Sequence, residues 1–207
     1  MPINLDLRLR RAERDDLDTI VRWMEDEDFQ RFLYGDPARS PRQVREQIIN
    51  MLGRSTGLTM PGSIYLVADV PKTGPVGFIG LQNISWRNRA CTVDLYIGDK
   101  KRRAGITAAI ATARAFEYCF DELNLHRVSA FIYAFNSPSW RMFERVGAKR
   151  EITFREHVAR DGKLHDVYGY GLLREEFAAM KATFANLSGR SLREMAEALG
   201  ADPEAEA

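Results

Sequence analysis

The residues from Lys100 to Thr107 read Lys-Lys-Arg-Arg-Ala-Gly-Ile-Thr, between a run with strand spacing, Thr92 to Ile97, and an alanine-rich run that continues to about Leu123. A strand that hands its backbone to a helix through such a loop makes an anion site. The free N–H groups of the first helical turn, the positive end of the helix dipole and nearby guanidinium groups can converge on one phosphate. In the strand before the loop, Val93, Leu95 and Ile97 share one face and Thr92, Asp94 and Tyr96 the other. The first face is core, and the second is polar and aromatic enough to line a cleft. A second charged cluster, Glu25-Asp26-Glu27-Asp28, reads either as a solvated helix end or as an acidic lip that attracts an amine.

The elements that must position these groups follow from periodicity. Leu5, Leu7 and Leu9 alternate with charged residues and predict a half-buried strand, and Leu17, Ile20, Val21 and Met24 predict a short helix from about Asp15 to Glu25. Phe29 to Tyr34 forms a further helical turn, and Ser40-Pro41 starts a helix to Leu52 with Val44, Ile48, Ile49 and Leu52 on one face. Three strands follow, Ser63 to Val70, Val76 to Ile84 and Ala90 to Ile97, with connections short enough to make them antiparallel neighbours. Beyond the helix after the basic loop come a strand from Arg127 to Phe135, a helix opened by Ser137-Pro138, and two strands, Glu151 to Ala159 and Leu164 to Leu173, joined at Arg160-Asp161-Gly162-Lys163. Helix resumes at Arg174, a second helical piece covers Ser191 to Leu199, and Gly200 to Ala207 is a small, acidic, flexible tail.

The 207 residues suit one domain, read as 1–177 with a helical extension and tail at 178–207. A formal charge of +1 gives no global field for nucleic acid or an anionic membrane, so any basic site is local. Cys91 and Cys119 lie in apolar stretches without metal-ligand spacing and read as reduced core residues, and no metal is expected. No apolar run approaches the roughly 20 residues of a membrane span. The expectation is a soluble, cytoplasmic protein, monomeric or homodimeric.

The order of these elements, with Leu123-Asn124-Leu125-His126-Arg127-Val128, Asn136-Ser137-Pro138-Ser139 leading to Phe143-Glu144-Arg145-Val146-Gly147, and Arg155-Glu156 through Asp166-Val167, resembles the GNAT superfamily of acyl-CoA-dependent N-acyltransferases. The resemblance covers about residues 5 to 177 and is strongest to the RimJ/RimL-like branch. It implies an α/β (α+β) fold: a mixed, mostly antiparallel sheet of about seven strands, helices on both faces, and a splayed strand pair holding acetyl-CoA. It also implies that Tyr96 and Ile97 border the cofactor, and that backbone N–H groups of Arg102, Arg103, Ala104, Gly105, Ile106 and Thr107 hold its pyrophosphate. The register running from Arg103 to Ala108 is the competing alignment. Asn136, Ser139 and Phe143 fall where the family contacts the pantetheine arm and the thiol.

Two residues depart from the family pattern. Thr107 stands where a small residue is usual, and Phe143 stands where many members carry a tyrosine that protonates the departing thiolate. Phe143 has no proton to give, and Ser139 is the matching candidate for stabilising charge on sulfur. Direct attack of an amine on a thioester requires deprotonation of an ammonium, a fixed carbonyl and stabilisation of the oxyanion. Asp94 is the first candidate base, with Glu156 and His157 next, while His126 and His165 read as structural. Trp23, Tyr34, Trp86 and Glu156, with Tyr96 and the acidic run, are candidates for the acceptor side. The implied activity is acetyl transfer to a primary amine, on a small molecule or a protein N-terminus. The alternative is a non-catalytic acyl-CoA-binding or regulatory module on the same fold.

Overall fold

A computed structural model describes residues 7–33, 40–53, 60–71, 73–98 and 106–185. The chain opens with β1 (Arg8–Arg11), a 3₁₀ turn at Arg14–Asp16, α1 (Leu17–Met24), α2 (Glu27–Leu33) and α3 (Pro41–Gly53). Three antiparallel strands follow, β2 (Ile64–Val70), β3 (Gly74–Ser85) and β4 (Ala90–Ile97). The second half comprises α4 (Ile106–Glu117), β5 (Arg127–Tyr133), α5 (Ser137–Arg145), β6 (Lys149–Arg160), β7 (Lys163–Leu173) and α6 (Arg174–Ala185).

Seven strands form one sheet in the order β1-β2-β3-β4-β5-β7-β6. Every pair is antiparallel except β4 and β5, which run parallel. The parallel pair registers at only three positions, Ala90 with Arg127, Cys91 with Val128 and Thr92 with Ser129. Beyond them Val93 to Ile97 stay paired with β3, Ala130 to Tyr133 stay paired with β7, and the two strands part. This split is the feature that the rest of the fold supports.

The sheet carries apolar layers on both sides. On one side Leu66, Ile79, Leu81, Val93 and Tyr170 pack beneath Ala108, Ala111, Ala115 and Phe116 of α4, with Val146 and Phe177. The alanines of α4 have almost no side chain, and Ala108, Ala109, Ala111 and Ala115 are buried, so the helix packs closely on the sheet. On the other side Val67, Phe78 and Tyr96 pack beneath Ile20, Val21, Met24, Phe29 and Ile48 of α1, α2 and α3. Strands β2, β3 and β4 are therefore covered on both faces, and Tyr96 is core as well as cleft-facing.

Several details sharpen the sequence reading. The acidic run ends α1 and also starts α2, because Asp26 Oδ1 accepts the Asp28 N–H at 3.1 Å as an N-cap does. Ser40 and Gln43 form a reciprocal cap at the start of α3. Ile49, expected on the buried stripe of that helix, is 50% exposed while Ile48 is buried. The strand expected to reach Phe135 stops at Tyr133, because Asn136 N–H turns back to Tyr133 C=O at 2.9 Å. α4 ends in a π turn at Tyr118–Glu122, closed by Leu123 N–H on Tyr118 C=O. The Asp161-Gly162 pair has positive φ at both residues, the requirement of a tight hairpin turn. Leu5, the second helical piece at 191–199 and the tail lie outside the described residues.

Candidate active site

The split between β4 and β5 opens into a cavity of about 610 Å³, within the range of small-ligand sites. Its walls are Val93 to Ile97 on one strand and Ala130 to Ile132 on the other. Ala108 and Thr112 of α4 border it, as do Asn136 to Ser139 and Arg141, Met142, Phe143 and Arg145 of α5. Asp28 and Phe32 of α2 close the far side. Two strand edges that face each other without pairing present backbone N–H and C=O groups to whatever lies between them. A slender ligand with amide groups along its length can pair with those edges as an added strand would.

Asn136 and Ser139 reach this space for a local reason. Asn136 precedes α5 and is buried (8% exposed), yet its side chain makes no capping bond and lines the cavity instead. Pro138 in the first turn has no N–H to satisfy, and Ser139 in the same turn lines the cavity with its hydroxyl-bearing side chain. Trp140 anchors the helix by donating to Ala134 C=O at 3.0 Å and by meeting Tyr168 edge to face. Phe143 packs edge to face on Phe116 at 5.7 Å between ring centres, and its ring also meets Tyr170. The Tyr170 phenol is turned away, donating to Glu144 Oε1 at 2.7 Å. Burial and the Glu144 carboxylate push its pKa up, so it is a poor replacement acid.

Asp94 sits half-buried on the α1–α3 side of β4 and lines the cavity. Burial raises its carboxyl above the ordinary aspartate range, and a hydrogen bond donated by Gln82 Nε2 offsets part of that rise. The partner comes from the neighbouring strand, where Gln82 is registered with Thr92, one diagonal step from Asp94. Tyr96 follows on the same face, and its hydroxyl donates to Asp26 Oδ1 at 3.1 Å. Asp28, two residues beyond Asp26, lines the cavity itself.

The structure brings together Asp94, Tyr96, Ile97, Ala108, Asn136, Ser139 and Phe143 on one cavity. Thr107 is fully buried in the first turn of α4. Arg102, Arg103, Ala104 and Gly105 lie outside the described residues, as do Tyr34 and the side chain of Ile106. Three expected acceptor residues are placed elsewhere. Trp86 packs on the α4-side core and donates to Pro61 C=O at 2.8 Å. Trp23 packs over Gly98, where an added Cβ would fall 2.0 Å from its ring. Glu156 is exposed in a bulge of β6 with φ +49°, its N–H bonded to Asp166, and His157 is exposed with its ring against Phe154. Among the cavity residues that the sequence reading missed are Phe32, Thr112, Phe131, Arg141 and Arg145, and it also missed the bond from Gln82 to Asp94.

A sheet of this order, parted between a parallel pair and flanked by an alanine-rich helix and an Asn-led helix, is the architecture of an acyl-CoA-dependent N-acetyltransferase. Residues 6–149 match the model of the acetyltransferase (GNAT) domain, and the chain belongs to that family. It is 25% identical over 174 residues to the uncharacterized N-acetyltransferase p20 of Bacillus licheniformis, covering 83% of this chain and 95% of that protein. It is 22% identical over 175 residues to the spermidine N(1)-acetyltransferase of Vibrio cholerae serotype O1, covering 84% and 97%. The crystal structure of the Vibrio cholerae spermidine N-acetyltransferase in complex with CoA and spermine superposes with a TM-score of 0.74, covering 84% of this chain and 99% of that one at 22% identity. The protein is thus an N-acetyltransferase of the GNAT family, and its acyl donor is acetyl-CoA. Among the described residues, no three His, Cys, Asp or Glu side chains converge as a metal site, and no helix is long and apolar enough to cross a membrane.

Proposed function

We propose that the enzyme acetylates a primary amine by direct attack in a ternary complex, with Asp94 taking the proton of the incoming ammonium. The observation that carries this reading is a half-buried carboxylate with an upward-shifted pKa, on the wall of a cavity that lies between two parted strands. A primary amine of lysine type, with pKa about 10.4, is almost entirely protonated at neutral pH, so a base must remove a proton before attack. A raised carboxyl pKa makes Asp94 a better proton acceptor while leaving it able to ionise. Acetyl-CoA supplies an activated acyl carbon. The parted edges of β4 and β5 fit its amide-bearing arm, Asn136 offers its uncapped carboxamide to the same arm, and the N-terminal end of α4 faces its phosphates. Ser139 and the positive end of α5 stabilise negative charge developing at the reacting end.

Asp28 and Asp94 are the cavity groups suited to an ammonium, while Arg141 and Arg145 of α5 line the same cavity with the opposite charge. The motifs at 123–128, 136–147 and 155–167 support placement in the RimJ/RimL-like branch, and the cysteine usage supports a cytoplasmic setting. Release of free CoA from acetyl-CoA against a panel of amines tests the reading. Asp94→Asn is expected to lower kcat/KM by about 10²-fold or more while acetyl-CoA affinity holds, and Ser139→Ala by a similar order. Unchanged turnover in Asp94→Asn removes Asp94 from the mechanism. A second reading, a non-catalytic acyl-CoA-binding module, is favoured by Phe143 in place of a proton-donating phenol, and it holds if acetyl-CoA binds and no amine releases CoA.

A further inference from the structure

The α1–α3 side of the sheet is covered unevenly. Over β2, β3 and β4 it is roofed by α1, α2 and α3. Over β5, β7 and β6 the same face carries large apolar side chains that stand in solvent: Phe131 is 54% exposed and Ile152 46%. The Phe154 ring lies 6.1 Å from that of Phe131, and together with Ile152 they make a shelf. Gly169 sits beneath it, and an added Cβ there would meet Ile152 Cγ2 at 2.4 Å and Phe131 Cε1 at 3.3 Å, so both side chains close down over bare backbone. The shelf is continuous with the active site, because Phe131 lines the cavity from which Asp28 and Asp94 also emerge.

The charges around the shelf limit what can lie on it. At one end Arg127 and Glu151 bond each other, with Arg127 Nη1 2.9 Å from Glu151 Oε1. At the other, the His157 ring packs on Phe154. The carboxylates bordering the shelf are Glu151, held by Arg127, and Glu156 and Asp166 at the bulge beyond Phe154, while Phe131, Ile152 and Phe154 themselves present only apolar surface. Asp28 and Asp94 line the cavity, and the apolar surface runs from Phe131 on its wall out to Ile152 and Phe154.

We propose, building on the acyl-transfer reading above, that the acceptor is an arylalkylamine: its single ammonium enters the cavity toward Asp94, and its flat apolar body rests on the shelf of Phe131, Ile152 and Phe154. Aromatic faces accept a planar ring by stacked or edge-on contact, and covering the exposed apolar area contributes to binding in proportion to that area. A polyamine gains the cavity carboxylates and nothing from the shelf. Selection by the shelf therefore favours an aryl body over a straight cationic chain.

The test measures CoA release with 2-phenylethylamine, n-butylamine and spermidine as acceptors, in the wild-type enzyme and in Phe131→Ser and Ile152→Ser. Both positions are about half exposed, so either substitution leaves the core intact. Phenylethylamine is expected to exceed butylamine and spermidine in kcat/KM by about tenfold or more, with each variant reducing that preference about tenfold, chiefly through KM. A preference for spermidine overturns the proposal and leaves acyl transfer standing. So does an aryl preference that neither variant alters, or a variant that only converts a dimer to a monomer in sedimentation, which would make the shelf a contact between copies of the chain. Failure of every amine to release CoA overturns the acyl-transfer reading and this proposal with it.

Discussion

Asp94 shows how one side chain is tuned by two opposing effects. Burial disfavours its charge and raises its pKa, whereas the Gln82 amide donates to Oδ2 and holds the carboxylate form. Removing the donor leaves burial unopposed. In Gln82→Leu the acid limb of the kcat/KM profile against pH is expected to move to higher pH, with activity at alkaline pH largely kept. A profile that stays in place would mean that Asp94 is not the group titrating in that limb. The sequence made Asp94 legible as a member of the polar face of a strand, but not its partner: Gln82 lies twelve positions away, and only the register of β3 on β4 sets them diagonally opposed. Trp86 and Glu156 stand away from the described cavity for the same reason, since a tryptophan or glutamate near a strand end says nothing of the face it takes until bulges are known. The β3–β4 register shifts between Gln82 and Ser85, and that of β6–β7 between Phe154 and Val158.

Among the elements, helix types and strand limits were largely readable from period and caps, and their ends deviate where side chains from elsewhere intervene. The end of α4 is held by Arg174, which donates to Leu125 C=O at 3.0 Å, to Asn124 Oδ1 at 3.0 Å and to Phe120 C=O, so the first residue of α6 satisfies carbonyls that α4 leaves open. At the start of the chain, β1 is tied to the turn before α1 by Arg10, whose two terminal nitrogens each lie 2.7 Å from an Asp16 oxygen. Burial alone would raise the Asp16 pKa, but the Arg10 bonds, the Glu13 N–H and the Arg10 charge together bring it below the ordinary aspartate value. A lowered folded pKa means that the contribution is whole at neutral pH and lost as the pH falls through that value. Asp16→Asn is therefore expected to destabilise the fold at neutral pH by about 2 kcal/mol, seen as a lower denaturant midpoint, with the deficit shrinking in acid. Equal deficits at neutral and acid pH would show that the charge is not what Arg10 requires.

Across the whole molecule the fold was the most legible part and the acceptor the least. Fold follows from the sum of many weak signals, and the parted sheet was anticipated through the family resemblance that the element order, Asn136 and Ser139 helped to carry. In the proposed reading, acceptor choice depends on a few side chains brought together from α2, β4, β5 and β6, which no single stretch of sequence contains. The aromatics that prove to face the cavity, Phe32 and Phe131, carry no local mark that separates them from core phenylalanines.

The parted strands also have a mechanical meaning. Among the described residues, three pairs are the sheet pairing that links the block β1 to β4 with the block β5 to β7, the fewest of any neighbouring pair of strands. In the binding mode proposed above, a donor lying along this seam would bond to both sides and act as a rivet. Acetyl-CoA at about 100 times its Kd should add about 2.7 kcal/mol to stability by mass action alone. Amide exchange should slow most in Val93 to Ile97 and Ala130 to Ile132, on the two lips of the seam, and far less in β1 or β6. Protection spread evenly over the sheet would instead describe two blocks that were never separately mobile. On that reading the enzyme would hold its own sheet together with the reagent it consumes.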